Sequence, residues 1–243
     1  VNILGVFLIL LKVLKSKRII GLSIKYFIPN SNLLKKLFFQ SAPISAALLL
    51  ISVGNFIILT YIGVFGEYAV AGFGSAARFE QILLLPVLGL NTAIISIIGQ
   101  NFGAKNFIRV QESYFTAVKY GFILMIISGS IIFLSADKIV GIFSDNPVVI
   151  SYGTTYLKIS ALIFPAYPIF FISNGFFMAI KKSKNSMYLN VIRNIILPIP
   201  TILAANAIDG SFETFFWCYC FANWFYVLCL FAYVRSYIKK KIL

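Results

Sequence analysis

Six stretches of this sequence are each long and apolar enough to cross a lipid bilayer, and they leave room for little else. A hydrocarbon core about 30 Å thick takes roughly 20 apolar residues of helix. The runs lie at Ser41–Phe65, Val70–Ile98, Tyr114–Ser135, Ser151–Ile180, Met187–Asn206 and Phe212–Val234, after a shorter apolar piece, Val1–Leu14. They are continuous rather than alternating, which reads as helix and not as barrel strand. With 60% hydrophobic and only 12% charged residues, the chain has too little polar surface for a water-soluble globule. The expected fold class is all-α: a polytopic membrane helix bundle of six transmembrane helices plus the end of a preceding one.

Charge placement tests that reading. Counting compartments alternately, one side carries Lys12, Lys15, Lys17, Arg18, Lys25, Lys35 and Lys36, then Lys105 and Arg109, then Lys181, Lys182 and Lys184, then Arg235, Lys239, Lys240 and Lys241. The other side carries Lys138 alone. The positive-inside rule puts the basic side, with the C-terminus, in the cytoplasm. The formal charge of +14 is therefore topology. A nucleic-acid partner would need these residues on one folded face with aromatics between them, so membrane lipids, and no nucleic acid, are the expected partners. The protein is expected in a bacterial-type inner (plasma) membrane, multi-pass. The chain opens at Val1 inside an apolar run, with no charged leader or cleavage site, which reads as a piece of something longer. Residues 1–36 divide off as the end of a transmembrane helix and a basic cytoplasmic connector, the latter either an interfacial helix or a loose link. Residues 37–243 form the six-helix lobe.

Several chemistries are excluded early. There is no His, the commonest general base and metal ligand. The three Cys cannot form a disulfide framework, and Cys218 and Cys220, at i and i+2, do not share a helix face. No metal site or organic cofactor is expected. An intramembrane enzyme would need a nucleophile–base pair or a metal set, so no enzymatic activity is expected.

Ionisable groups inside a span are functional candidates by default. Lys119 and Lys158 lie near span ends and can snorkel. Arg193, flanked by Asn190 and Asn194, either snorkels or faces a cytoplasmic cavity. Arg78, Glu80 and Gln81 are deeper. Glu80 is about 15 Å into its span at 1.5 Å per residue, so it must be paired, protonated or next to a hydrated cavity. It serves either cation coupling and substrate passage or as an anchor between helices. Arg78 and Glu80 point about 200° apart on a helix, so at least one bonds a neighbour. Asn55, Tyr167 and Asn174 complete the list of pathway candidates. Pro86 should kink the second span, with Gly89 one turn on. Pro165, Pro168 and Pro198 mark further kinks of the kind that bending transporter helices use.

The stretch AVAGFGSAARFEQILLLPVLGLNTAIISIIGQNFGAKNFIRVQES resembles the multidrug and toxic compound extrusion (MATE) family. The residues that carry the resemblance are Arg78, Glu80, Pro86, Gly89, Leu90, Ala93, Gly99, Gln100, Asn101, Gly103, Ala104 and Arg109. FSDNPVVISYGTTYLKI and SNGFFMAIKKSKN resemble two of the family's connectors. The resemblance implies half of a twelve-helix fold, the C-terminal lobe, with a missing N-terminal six-helix lobe as its partner. It implies a secondary active transporter that exports cationic or amphipathic compounds by proton- or sodium-coupled antiport with alternating access. The alternatives are a lipid-linked oligosaccharide flippase of the same superfamily and a non-transporting helix-bundle fragment. Some members bind the coupling cation at an acid in helix 7 or helix 10. Neither corresponding span here has a carboxylate: Asn55 is the most polar residue of the first, and the fourth offers Tyr167. Gly99, Gln100, Asn101, Gly103 and Arg109 read as a structural and gating turn: the glycines let the chain leave a helix, the amides cap it, and Lys105 and Arg109 hold it to headgroups.

Overall fold

The computed structural model describes residues 30–241. The expected helix end at Val1–Leu14 and most of the basic connector lie outside the described residues. The chain divides into two units, 1–41 and 42–243. In the first, the described part is Asn30 and the opening turns of helix α1, including residues 31–36 that the sequence reading gave to the connector. The second unit carries everything that follows.

Among the described residues, five helices are long and apolar enough to cross a membrane, or six if the bent pair counts as one span. They are α1 (Ser31–Gly63), α2 (Glu67–Gly103), α3 (Phe107–Gly141), the bent pair α4 (Pro147–Ile163) and α5 (Ala166–Ala179), α6 (Ser183–Val191) continued through Ile192–Ile196 to α7 (Pro198–Ile208), and α8 (Phe212–Lys241). No strand occurs among the described residues. The protein is a multi-pass integral membrane protein.

The turns are tighter than the sequence suggests. Gly99 to Arg109 read in the sequence as a turn, yet α2 runs to Gly103 and α3 starts at Phe107. Gly99 and Gly103 are thus helical. The residue that turns the chain is Lys105, with φ 58°. It occupies the left-handed position after a helix, closed by bonds from Lys105 N–H to Phe102 C=O (3.1 Å) and Asn106 N–H to Asn101 C=O (2.9 Å). Lys181, φ 61°, ends α5 with the same pattern, Lys182 N–H to Phe177 C=O at 2.8 Å. Polar residues there extend a helix because a membrane helix continues past the hydrocarbon until a cap stops it. Asn106 accepts from Arg109 N–H (3.2 Å), Asn146 from Val148 N–H (2.9 Å), and Ser211 from Thr214 N–H (3.1 Å). Pro147, at the first position of α4, needs no N–H partner.

The breaks fall where two prolines act together. Helix α2 continues without a break through Pro86 and Gly89. A single proline removes one ladder bond and leaves those on either side intact. The span expected as Ser151–Ile180 is instead two helices bent by 57°. Pro165 and Pro168 each lack an N–H within one turn, and Phe164 C=O is left to take Tyr167 N–H at 3.1 Å. Ahead of Pro198 and Pro200 the chain widens into a π segment, Ile192–Ile196, closed by Leu197 N–H to Ile192 C=O at 2.8 Å. The extra residue relieves the clash between the proline ring and the carbonyl one turn back.

The bent pair is the buried heart of the second unit. Helices α2, α3 and α8 all pack on α4 and α5, and Tyr156 to Gly175 is buried nearly throughout. Close approach at glycine permits this. A Cβ on Gly72 of α2 would lie 2.6 Å from Val149 C=O of α4, and one on Gly54 of α1 would lie 2.5 Å from Asn194 C=O in the π segment.

Candidate functional site

Glu80 is 7% exposed, and its carboxyl oxygens are met by hydroxyls from both halves of the bent span. Tyr156 of α4 donates to Oε2, joined by Ser160 at 3.4 Å, and Tyr167 of α5 donates to Oε1. Tyr156, Ser160 and Tyr167 stand at i, i+4 and i+11, one face of a helix. Eleven residues of straight helix cover about 16 Å. The two tyrosines nevertheless reach one carboxyl group, which sits across the bend. All three bonds are accepted by Glu80, so a buried acid is held by neutral donors.

The cation stands one ring away. The Arg193 guanidinium carbon lies 4.7 Å from the Tyr167 ring centre, 4.2 Å from that of Phe170 and 5.8 Å from that of Phe171. Tyr167 therefore gives its hydroxyl to Glu80 and its ring to Arg193, a cation–π contact that gains strength out of water. Arg193 is 8% exposed, so the snorkelling reading is overturned. The π segment that carries it packs against Gly54 and turns it into the protein. Glu80, Tyr167 and Arg193 border a cavity of about 410 Å³, together with Asn55, Gln81 and Asn194. Its walls are largely aromatic, with Tyr156 edge-on to Phe73 and Phe216 at ring-centre distances of 4.7 and 4.8 Å.

Of the residues singled out in the sequence, Glu80, Gln81, Asn55, Tyr167 and Arg193 meet at this cavity. Arg78 does not: it is exposed, on another side of α2, as its two-residue offset from Glu80 requires. Asn174 belongs to a separate buried cluster. Its Oδ1 accepts from Ser186 Oγ and from Asn190 Nδ2 (3.2 Å), and Asn194 Nδ2 continues the chain to Asn190 C=O at 3.0 Å. Ser186, Asn190 and Asn194 recur every four residues, so this polar stripe runs along α6 into the π segment and ends at the cavity. In the turn after α2, Asn101 Nδ2 donates to Ile97 C=O (2.8 Å) and Gln100 Nε2 to Ser96 Oγ (3.3 Å). The amides thus bond back along α2 instead of capping its end, and Arg109 is exposed on the first turn of α3. Pro86 and Gly89 are exposed, whereas Pro168 and Pro198 are buried. Sequence reasoning missed Ser160 and did not assign Tyr156 to Glu80. The one-face spacing with Tyr167 was the available signal. Among the described residues no group of three His, Cys, Asp or Glu could hold a metal ion.

The family model MatE matches residues 43–203, well over half of the chain. The chain belongs to the MatE family. Its relatives include the probable multidrug resistance protein YpnP of Bacillus subtilis, 27% identical over 65% of this chain and 36% of that protein. They also include the multidrug export protein MepA of Staphylococcus saprophyticus, 22% identical over 86% of this chain and 46% of that one. A FAD transporter of Shewanella oneidensis is 24% identical over 64% of this chain and 34% of its own length. Among solved structures, a MATE transporter in the straight conformation superposes with a TM-score of 0.88 at 20% identity, over 98% of this chain and 54% of the other. A transporter of the MOP superfamily from Pyrococcus furiosus superposes at 0.85 with 21% identity, over 93% and 52%. These structures share the fold. The chain spans about half the length of the structures it matches, and less than half that of these relatives.

Proposed function

We propose that this MatE chain supplies one lobe of an inner-membrane exporter. In this reading it moves cationic or amphipathic small molecules by alternating access against an inward flow of protons or sodium ions, with its basic turns and C-terminus in the cytoplasm. The missing six-helix lobe is the expected partner, and no covalent chemistry is involved. The observation that carries this reading is Glu80, a buried acid bonded to both halves of a broken span at the edge of a polar cavity.

The bonding suggests how coupling works. An ionised carboxyl accepts only, whereas a protonated one carries a donor of its own. Cation uptake at Glu80 would displace one of its three hydroxyl donors. Tyr167 is the one whose ring also holds Arg193, so its release would be felt in α5 and the π segment together, the two elements with weakened helical ladders. A flippase for large polyanionic lipids fits less well, because Arg193 is the only Lys or Arg among the described residues that lines this cavity.

The test is dye efflux from cells carrying the chain with its natural flanking sequence. Imposed proton and sodium gradients are compared, for the parent and for Glu80→Gln. Gradient-dependent efflux that Glu80→Gln abolishes supports the proposal. Full transport by Glu80→Gln would reduce Glu80 to an anchor, and efflux indifferent to both gradients would refute the coupling.

A further inference from the structure

We infer that the Arg193 corner of the cavity is a receptor for a carboxylate carried on a flat aromatic compound. This deepens the exporter reading and rests on it only for the claim that the compound is transported. Arg193 is more than nine-tenths buried, yet its described contacts are with ring faces. Among the described residues no carboxylate, carbonyl or amide oxygen takes its N–H groups. A guanidinium is always charged and carries five donors in a planar fork. The three rings around it offer π faces and no oxygen acceptor, and none of the hydrogen bonds a guanidinium fork makes to an oxyanion is met by them. Glu80 does not supply them, because Tyr156, Ser160 and Tyr167 occupy it and the Tyr167 ring stands between the two charges. Arg193 lines the cavity, which is where a partner for its donors would enter.

A buried fork with no hydrogen-bonded counter-charge is costly, and a bidentate carboxylate is the partner it fits best. Phosphate monoesters carry nearly two charges and would call for a second cation, and the described lining residues include none besides Arg193. The rest of the lining selects the body of the ligand. Phe73, Phe171 and Phe216 offer ring surfaces, and Asn55 and Gln81 offer amides at the rim. About 410 Å³ suits a molecule of two or three fused rings.

The experiment is equilibrium dialysis of the chain in lipid nanodiscs, with protein-free discs subtracted. The probes are naphthalene-2-carboxylate, its neutral carboxamide and 2-naphthyl phosphate. The carboxylate is expected to bind about tenfold or more tightly than the carboxamide, the scale of a charged hydrogen-bonded pair. Arg193→Gln should erase that preference, and Arg193→Lys should keep part of it, retaining the charge without the fork. Asn55→Asp should weaken carboxylate binding and Asn55→Lys should strengthen it. These two variants of one exposed position keep the test alive if the Arg193 variants fail to fold. Equal binding of carboxylate and carboxamide, a preference that survives Arg193→Gln, or tighter binding of the phosphate would each overturn the inference. Because binding is read without transport, a chain that binds but does not export sinks the exporter reading alone, and one that exports but does not discriminate sinks this inference alone.

Discussion

Glu80 and Tyr167 should be energetically coupled, and the coupling has a magnitude. Glu80→Gln keeps the shape and one carbonyl acceptor but removes the charge. A hydrogen bond to a charged group contributes about 1.5–3 kcal/mol and a neutral one about 0.5–1.5, so each well-made bond loses about 1 kcal/mol. Tyr156 and Tyr167 make such bonds, while Ser160, at 3.4 Å, lies at the limit and adds little. Glu80→Gln should therefore cost about 2 kcal/mol. Tyr167→Phe removes the donor from Oε1 and strands a buried acceptor, at about 1–3 kcal/mol. The double variant should fall short of the sum by about 1 kcal/mol, toward the upper end of couplings measured inside membrane proteins. The assay is reversible unfolding in mixed detergent–SDS micelles, with all four members of the cycle measured together. Tyr219→Phe is the control: Tyr219 lines the same cavity without donating to Glu80, and its coupling to Glu80→Gln should be near zero. A Glu80–Tyr167 coupling below about 0.3 kcal/mol, the scatter of independent sites, would refute the reasoning.

Three further outcomes follow from the same geometry. Lys105→Gly and Lys181→Gly remove side chains from left-handed backbone and should each stabilise the chain by about 1 kcal/mol, read as a rise in thermal midpoint in detergent; a fall in both would mean the turns are held by the lysine side chains. Gly72→Val puts a methyl-bearing carbon 2.6 Å from Val149 C=O and should cost about 1–3 kcal/mol by overpacking, whereas Gly74→Val, with open space around it, should cost less in the same melt. The N–H of Ser211 and the hydroxyl of Thr214, each 2.9 Å away, hold the Asp209 carboxyl below its usual range. With the folded value depressed, its contribution is present above about pH 4 and lost as pH falls through the folded value; amide exchange at the start of α8 should quicken there and Asp209→Asn should abolish the pH step.

The apolar runs alone determined that this chain lives in lipid as a bundle of helices, because a bilayer forbids unsatisfied backbone and only helices of about that length satisfy it. Glu80 and Arg193 were also legible, since an ionisable group in such a run is too costly to be incidental. Arg78, Glu80 and Arg193 look alike in the sequence, and the sequence could not say which of them meet, because a helix face is chosen by its neighbours. Tertiary packing put Arg78 outside and turned Arg193 inward on a π segment. It bent one span at Pro165 while leaving Pro86 within an unbroken helix, and so brought Tyr156 and Tyr167, about three turns apart in the chain, to a single carboxyl group.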